Sequence, residues 1–193
     1  MPDNYDPRSA LNSRQGRINR REGAEFEKMI ELSCDYYKQK GIAFIEKTPE
    51  PFRITSKPNA KGQFTGYFTK QAQPDFKGTV SGGRSIVFDA KATSTEKIPL
   101  SALTEEQTAS LQAHADLGAL AYLFMSYSFM PFYLMPYNVF VRAKEIVGHK
   151  YWTADECEFA SRITAAAELP AFPVRFTGTF LEFMEGICTT KQF

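Results

Sequence analysis

The pattern of hydrophobic and polar positions near the start of the chain predicts a helix followed by a strand. Between Glu22 and Lys40, apolar residues recur at spacings of three and four, which places them on one face of a helix. The members of that face are Phe26, Met29, Ile30, Cys34 and Tyr37. Gly41 is a suitable residue to end this helix, and the apolar residues 42–45 after it predict a strand.

The middle of the chain predicts a β-hairpin that carries charged residues near one end. Two β-rich runs flank residues 81–83, whose sequence Ser-Gly-Gly is a strong turn signal. Because side chains at i and i+2 of a strand share a face, Asp89 and Lys91 point the same way, and we expect them on the face opposite the core. The predicted core-facing set is Ile86, Phe88 and Ala90. Asp75 opens the first strand at the end far from the turn, so it can come close to Asp89.

The second half of the chain predicts further alternation of helices and strands. The sequence of 104–107 is a capping box that opens a helix. The apolar run 118–127 is typical of a strand buried on both faces, and 132–135 predicts a strand that pairs with it. A helix is predicted over 137–147, and a second capping box at 153–156 opens another helix, through about residue 167.

Paired carboxylates beside a lysine indicate a specific kind of chemistry. Asp75 and Asp89 would repel each other, and such pairs are usually tolerated because a hard divalent cation lies between them; Mg²⁺ often takes only one or two carboxylates. Lys91 could orient or deprotonate a water, or stabilise charge on a phosphate. The set therefore indicates metal-assisted phosphodiester hydrolysis. The alternative is a hairpin whose charges are simply solvated.

The distribution of charge favours nucleic acid as the partner. The net charge is only +1, but residues 1–97 hold 17 Lys and Arg against 12 Asp and Glu, whereas residues 98–193 hold 6 against 10. The basic half also contains the acid hairpin. Since phosphate contacts supply most of the affinity of proteins for nucleic acid, this arrangement suits a nucleic-acid enzyme.

Two basic segments are candidates for holding the nucleic acid. Residues 1–21 are interpreted as a flexible basic arm, with a disordered tail of no consequence as the alternative. Residues 56–69 interleave lysines with aromatic residues, which suits stacking on bases or insertion at a branch point; the alternative is a solvated β-excursion whose aromatics pack on their own hairpin. The candidate nucleic-acid-binding residues are Arg14, Arg17, Arg20, Arg21, Lys47, Lys57, Lys61, Phe64, Tyr67 and Lys70.

Length and composition indicate one domain that neither spans a membrane nor enters a secretory route. The 193 residues, with 17 Phe, suit a single domain with an ample core, here residues 22–193. No window approaches the ~20 apolar residues of a membrane span, and no apolar stretch follows Met1, so we expect no signal peptide. The three cysteines lack disulfide or zinc spacing, and we expect free thiols in a reducing cytoplasm.

The acid hairpin resembles the PD-(D/E)xK motif of a nuclease superfamily, with thirteen residues between Pro74-Asp75 and Asp89-Ala90-Lys91. The order of predicted elements matches the α-β-β-β-α-β core of restriction-endonuclease-like enzymes, an α/β fold with a mixed central sheet flanked by helices. Within this superfamily, residues 20–185 resemble the RecU Holliday-junction resolvases and their phage-borne relatives. The matching residues include Gly23, Phe26, Glu27, Tyr37, Gly41, Lys47, Pro49, Asp75, Gly78, Phe88, Asp89, Lys91, Pro99, Gln107, Gly118, Phe132 and Tyr133.

The resemblance implies a magnesium-dependent endonuclease that cuts four-way DNA junctions. It places Mg²⁺, for which Mn²⁺ is expected to substitute, on Asp75, Asp89 and Gln107, and it makes Lys91 the residue that stabilises the transition state. Glu27 would be a further carboxylate near the metal; the alternative is a solvated helical glutamate. Gln107 can also be a capping residue and nothing more. Because symmetric junction cleavage needs two sites related by a two-fold axis, we expect a homodimer.

Three departures from the family pattern affect what can be carried over. The chain has Asp89 where the family commonly has glutamate, and Gln73 where the family commonly has threonine. Its segment 53–72, which corresponds to a protruding β-stalk, is short. The alternatives therefore include a duplex or single-strand nuclease without junction preference, and a catalytically silent DNA-binding dimer.

Overall fold

A six-stranded mixed sheet is the centre of the fold in the computed structural model of the chain, which describes residues 7–69, 73–128, 132–157 and 175–176. In spatial order, the strands are β1 (Ala43–Lys47), β4 (Phe76–Val80), β5 (Ser85–Thr93), β7 (Leu120–Tyr127), β8 (Phe132–Pro136) and β10 (Arg175–Phe176). Neighbouring strands are antiparallel except for β5 and β7, which are parallel. The parallel pair requires a crossover, and a helix supplies it.

Helices and two small sheets surround the main sheet. They are α1 (Pro7–Lys40), β2 (Phe52–Ile54) paired with β3 (Gly66–Phe68), β6 (Lys97–Pro99) paired with β9 (Tyr151–Thr153), a 3-10 turn (Leu100–Ala102), α2 (Glu105–Asp116), α3 (Tyr137–Phe140) and α4 (Ala143–Ile146). A further helix begins at residues 154–157. Among the described residues, no helix combines the length and apolar character that crossing a membrane requires.

Helix α1 covers one face of the sheet with the apolar stripe that its sequence predicts. Phe26, Ile30, Cys34 and Tyr37 are buried and form one core cluster with residues of β4, β5 and β7. Met29 was expected on this face but is 41% exposed. It lies at the margin of the apolar stripe, because the centre of the stripe follows Phe26, Ile30 and Cys34, which are spaced four residues apart. The predicted helix end at Lys40 is confirmed.

Residues 7–21, which the sequence assigns to a flexible arm, are helical and continue α1 without a break. Extending an existing helix adds one hydrogen bond per ordered residue without a new nucleation cost. Arginine, which accounts for five of the fifteen residues 7–21, favours helix. Residues 1–6 lie outside the described part of the chain.

The second face of the acid strand is buried, which corrects the expected exposure of that face. Val87 and Asp89 are as deeply buried as Ile86 and Phe88 on the opposite side. The cause is topological: β5 lies in the middle of the sheet, and the crossover to β7 lays α2 over this face, with Leu111 packed into a second core cluster. The hairpin pattern alone could not show this cover.

The predicted α-β-β-β-α-β order is confirmed by α1, β1, β4, β5, α2 and β7. The predicted turn at 81–83 is also present, with Gly82 and Gly83 at φ +85° and +84°, a region that glycine adopts without strain. The predicted helix over 137–147 is divided into α3 and α4. The predicted helix end near residue 167 lies outside the described residues.

Candidate active site

The two predicted acids meet at one end of the β4–β5 hairpin. Phe76 pairs with Phe88 across the hairpin, so Asp75 and Asp89 continue the register one step further. Asp75 Oδ2 accepts a hydrogen bond of 2.9 Å from the backbone N–H of Ala90. The first carboxylate is therefore anchored to the strand that carries the second.

Asp89 is fully buried and faces Lys91. Its side chain has 0% exposure, and the Lys91 ammonium, on a side chain that is 21% exposed, lies 2.5 Å from Asp89 Oδ2. That oxygen accepts no hydrogen bond of suitable geometry from the protein. A buried carboxylate oxygen that still has lone pairs to share is an uncommon feature, since buried polar atoms are normally satisfied.

Gln107 contacts the acid pair from the first turn of α2. Its side-chain nitrogen donates to Asp89 Oδ1 at 2.9 Å, while its side-chain oxygen accepts from the backbone N–H of Thr104 at 3.1 Å. Thr104 Oγ1 in turn accepts from the Gln107 backbone N–H, which completes the predicted capping box. The predicted capping role of Gln107 is therefore confirmed, and its side chain also contacts Asp89. Its amide oxygen is used by the helix cap and not directed at the acids.

The electrostatics of the pair favour protonation in the absence of a cation. Burial raises the pKa of Asp75 to about 7, helped by the nearby charge of Asp89 and opposed by the Ala90 N–H and Lys91. Burial also raises the pKa of Asp89, against the opposing effect of Lys91. Burial in a low-dielectric site explains both directions, and the like charge of Asp89 adds to the effect at Asp75. A positive ion at this position would restore the charged forms.

Glu27 approaches the site from α1, and its ion pair with Lys47 was not anticipated. The carboxylate is close enough to raise the pKa of Asp75, and it accepts an ion pair of 2.7 Å from Lys47. Lys47 also reaches Glu31 at 3.1 Å. Lys47 was expected to contact nucleic acid, but in this structure its ammonium links β1 to two carboxylates of α1.

The basic stretch of α1 is connected to the loop beyond Lys91. Ser94 Oγ donates to Asn19 Oδ1 at 3.0 Å. Arg17, Arg20 and Arg21 are exposed around this contact, and Arg21 pairs with Glu25 at 2.8 Å. The backbone of Arg14 is helical, but its side chain lies outside the described part of the structure, as does the whole of Lys70.

The excursion between β1 and β4 places exposed aromatic and basic side chains away from the main sheet. Phe64 and Tyr67 are 48% and 50% exposed, and Lys57 and Lys61 are exposed beside them. The Phe64 ring lies 6.0 Å from that of Phe52, so the expectation that aromatics pack on their own hairpin is met in part. About half of each ring remains available.

Two features near the acids were missed from the sequence. A cavity of about 370 Å³ adjoins Asp75, and its lining includes Thr48, Pro49, Glu50, Pro51, Gln73, Pro74, Thr104, Glu106 and Gln107. Lys77 binds Gln73 with its ammonium 2.5 Å from the amide oxygen. The period of two along a strand could have shown Lys77, because it lies two residues after Asp75 and so shares its face.

Comparison with known proteins gives the family. The model of the family described as RecU: Recombination protein U matches residues 21–163. The chain belongs to the RecU family. The matched range contains the RecU-like residues on α1, both acids, Lys91 and Gln107, and the family resemblance inferred from the sequence is confirmed.

The RecU relatives are similar over most of the described chain. The protein named Holliday junction resolvase RecU in Staphylococcus saprophyticus is 30% identical over 148 residues, 74% of this chain and 67% of that protein. The one in Staphylococcus carnosus is 32% identical over 61% of this chain and 59% of that protein. The chain thus spans about two thirds or less of the length of the RecU relatives it matches.

A solved structure is also similar. It is that of Hjc from Archaeoglobus fulgidus, a Holliday junction resolvase from an archaeal hyperthermophile, with 14% identity and a TM-score of 0.39 over 60% of this chain and 73% of that one. This degree of likeness is too low to compare individual residues.

Proposed function

We propose that this RecU-family chain is a divalent-metal-dependent endonuclease that cuts Holliday junctions and related branched DNA. The observation that carries the proposal is the acid pair of half-buried Asp75 and fully buried Asp89, with Lys91 2.5 Å from Asp89 Oδ2. The names of the RecU relatives, which are Holliday junction resolvases, support the choice of substrate. Residues 22–193 would act as one nuclease domain.

The residues present fit a hard cation. Two carboxylates come together in a site that raises both of their pKa values, and Asp89 Oδ2 contacts the Lys91 ammonium but accepts no hydrogen bond of suitable geometry. Among the described residues, no cluster of three or more His, Cys, Asp or Glu is arranged as a metal site. Mg²⁺ commonly takes only one or two carboxylates and completes its shell with water and phosphate. We propose Mg²⁺ on Asp75 and Asp89, with Mn²⁺ as a substitute.

In this site a bound cation would polarise the scissile phosphate and lower the pKa of a coordinated water. The other catalytic roles belong to side chains and backbone groups of the protein. Asp75 and Asp89 are held as acceptors by the Ala90 N–H and the Gln107 amide. Lys91 supplies a fixed positive charge for the anionic phosphate, and it can hold the attacking water by a hydrogen bond.

Gln107 has a different role here from the ligand role that the family resemblance implies. Because its amide oxygen is bound to the Thr104 N–H and its amide nitrogen to Asp89, we propose that it positions Asp89. Acting as a direct ligand would require the side chain to leave the helix cap. Glu27 is proposed as an outer carboxylate, held at the site margin by Lys47.

Binding of the DNA is assigned to the basic part of α1 and to the β2–β3 excursion. Arg17, Arg20 and Arg21 would contact phosphates, and Phe64 and Tyr67 would stack on bases at the branch point. Cutting a junction symmetrically needs two sites related by a two-fold axis, so the active species is proposed to be a homodimer.

The test is cleavage of a labelled four-way junction beside linear duplex and single strand. Wild type and Asp75→Ala are compared with Mg²⁺, Mn²⁺ and EDTA. Paired symmetric nicks confined to the junction, absent with EDTA and in the variant, are the expected result. Equal cutting of all three substrates would support a nuclease without junction preference, and tight junction binding without cutting under either metal would support a silent DNA-binding protein.

A further inference from the structure

The side chain of Gln73 is occupied by Lys77. Its amide oxygen lies 2.5 Å from the Lys77 ammonium, so the residue that replaces the family's usual threonine is engaged with a lysine. A neutral oxygen orients an ammonium without cancelling its charge, whereas a carboxylate would cancel it. The pair Gln73 and Lys77 therefore presents a held but still positive group.

Lys77 lies on the same face of β4 as Asp75. Along β4, Phe76 and Val80 are buried against α1, so alternation places Lys77 and Thr79 on the opposite face, which carries the acids. Two strand residues span roughly 6.5 Å, a distance comparable to that between neighbouring phosphates of a DNA strand. A phosphate next to the scissile one is thus within the reach of a lysine side chain.

This part of the acid face is open. Thr79 and the neighbouring β1 residue Glu46 are exposed, and Lys77 is half-buried. Among the described residues, the main contacts of α2 with the sheet are with β7 and β5. A nucleic-acid strand that places one phosphate at Asp75 and Asp89 can therefore continue along β4.

The charge of Lys77 is not matched by an ion pair. Glu46 stands directly across from it in the strand register, yet no carboxylate in the described part of the chain lies within ion-pair distance of its ammonium. By contrast, Lys47 and Lys91 each contact a carboxylate. Within the described part of the chain, Lys77 is thus a cation beside the acid pair that forms no ion pair.

We infer that Lys77, oriented by Gln73, binds the backbone phosphate adjacent to the scissile one and positions the DNA strand. This inference rests on the proposed nuclease function and adds a substrate-positioning residue to it. Because a phosphate contact of this kind acts equally in the ground state and the transition state, its loss should raise KM with little effect on kcat.

The experiment compares Lys77→Gln with Lys77→Arg, Gln73→Ala and a matched control, Lys144→Gln, which removes an exposed lysine of α4. Binding to a four-way junction is measured with Ca²⁺ in place of Mg²⁺ over a range of salt concentrations, and KM and kcat are measured with Mg²⁺. Circular dichroism melting of each variant verifies folding.

Lys77→Gln is expected to weaken binding and raise KM by about tenfold, with kcat within twofold and a salt dependence smaller by about one phosphate contact. Lys77→Arg should restore most of the binding, Gln73→Ala should lose about threefold, and Lys144→Gln should match wild type. A Lys77→Gln variant that matches Lys144→Gln, or that loses kcat at unchanged KM, would overturn the inference alone. A wild type that neither binds nor cuts DNA would overturn the proposed function as well.

Discussion

Ala90 donates its backbone N–H to Asp75 Oδ2 at 2.9 Å, and this bond locks the first acid to the residue that follows the second. The donor belongs to the backbone of a central strand, so its position cannot relax without breaking the sheet. Asp75 is therefore held against Asp89 whether or not a cation is present. The Asp75 and Asp89 carboxylates therefore repel each other whenever both are ionised and no cation is bound.

The stability of the metal-free protein should fall as pH rises. The pKa of Asp75 is raised from 3.8 to about 7, so its contribution to stability is present in full below pH 3.8 and is lost as pH rises through about 7. In EDTA, Asp75→Asn should therefore be more stable than wild type at pH 8 by roughly 2 kcal/mol, given about 1.4 kcal/mol per pKa unit and incomplete burial. Urea denaturation at pH 5 and pH 8 measures this.

The control for that experiment is Asp35→Asn, which changes an exposed aspartate of α1. It should leave the pH dependence of the wild type intact. Adding Mg²⁺ at pH 8 should stabilise wild type and Asp35→Asn but not Asp75→Asn, because the cation is proposed to bind only the ionised pair. Equal stabilisation of all three proteins would contradict the metal assignment.

Lys91 should matter for the rate of cleavage more than for binding. Removing a group that stabilises transition-state charge costs about 10²–10³-fold in kcat, so Lys91→Gln should lose that much while junction affinity with Ca²⁺ changes little. Single-turnover cleavage at saturating enzyme measures the rate. A loss of affinity as large as the loss of rate would show that Lys91 is mainly a DNA contact.

The two roles of Gln107 can be separated by mutation. Gln107→Ala removes both the contact with Asp89 and the reciprocal cap, whereas Thr104→Ala removes only the cap bond to the Gln107 N–H. Both variants should lose about 1 kcal/mol of stability. Only Gln107→Ala should weaken the Mg²⁺ dependence of cleavage, seen as a higher metal concentration for half-maximal rate. Identical metal dependence in the two variants would leave Gln107 as a cap alone.

The exposed aromatics of the excursion should determine which DNA is cut. Phe64→Ser and Tyr67→Ser should reduce the preference for junction over duplex by about tenfold, because each stacked base is worth about 1–3 kcal/mol, while stability changes by less than about 0.5 kcal/mol. Leu117→Ser, which alters an apolar side chain that is 88% exposed at the end of α2, is the control. If both aromatic variants keep the wild-type preference for junction over duplex, the excursion does not take part in junction recognition.

Mutation of Lys47 tests whether this lysine acts in the ion pair with α1 or in a contact with DNA. The pair with Glu27 is partly exposed, so Lys47→Met should cost less than about 1 kcal/mol of stability. If the Lys47 ammonium only links β1 to α1, the salt dependence of junction binding by Lys47→Met will equal that of wild type. A salt dependence smaller by the equivalent of about one phosphate contact would show that Lys47 is a DNA-binding residue.

Several parts of the fold could be predicted from the sequence because they depend on interactions between residues that are close together in the chain. The glycines of the turn, the Thr104 and Gln107 cap and the apolar run of β7 each depend on neighbours within a few residues, and the structure has all three. The helix stripe that packs on the sheet was found in the same way, except at Met29. Local signals were weaker where short helical turns replace the predicted helix over 137–147.

The sequence by itself determined the order of elements, the hairpin and the meeting of Asp75 and Asp89 at one end of it, since these follow from periodicity and turn chemistry. Only the tertiary structure decided that Asp89 is buried, that Gln107 holds it and that Lys77 faces an open surface. Those properties depend on which helix covers which half of a sheet. That choice is made by contacts between residues far apart in the chain, and no local pattern records them.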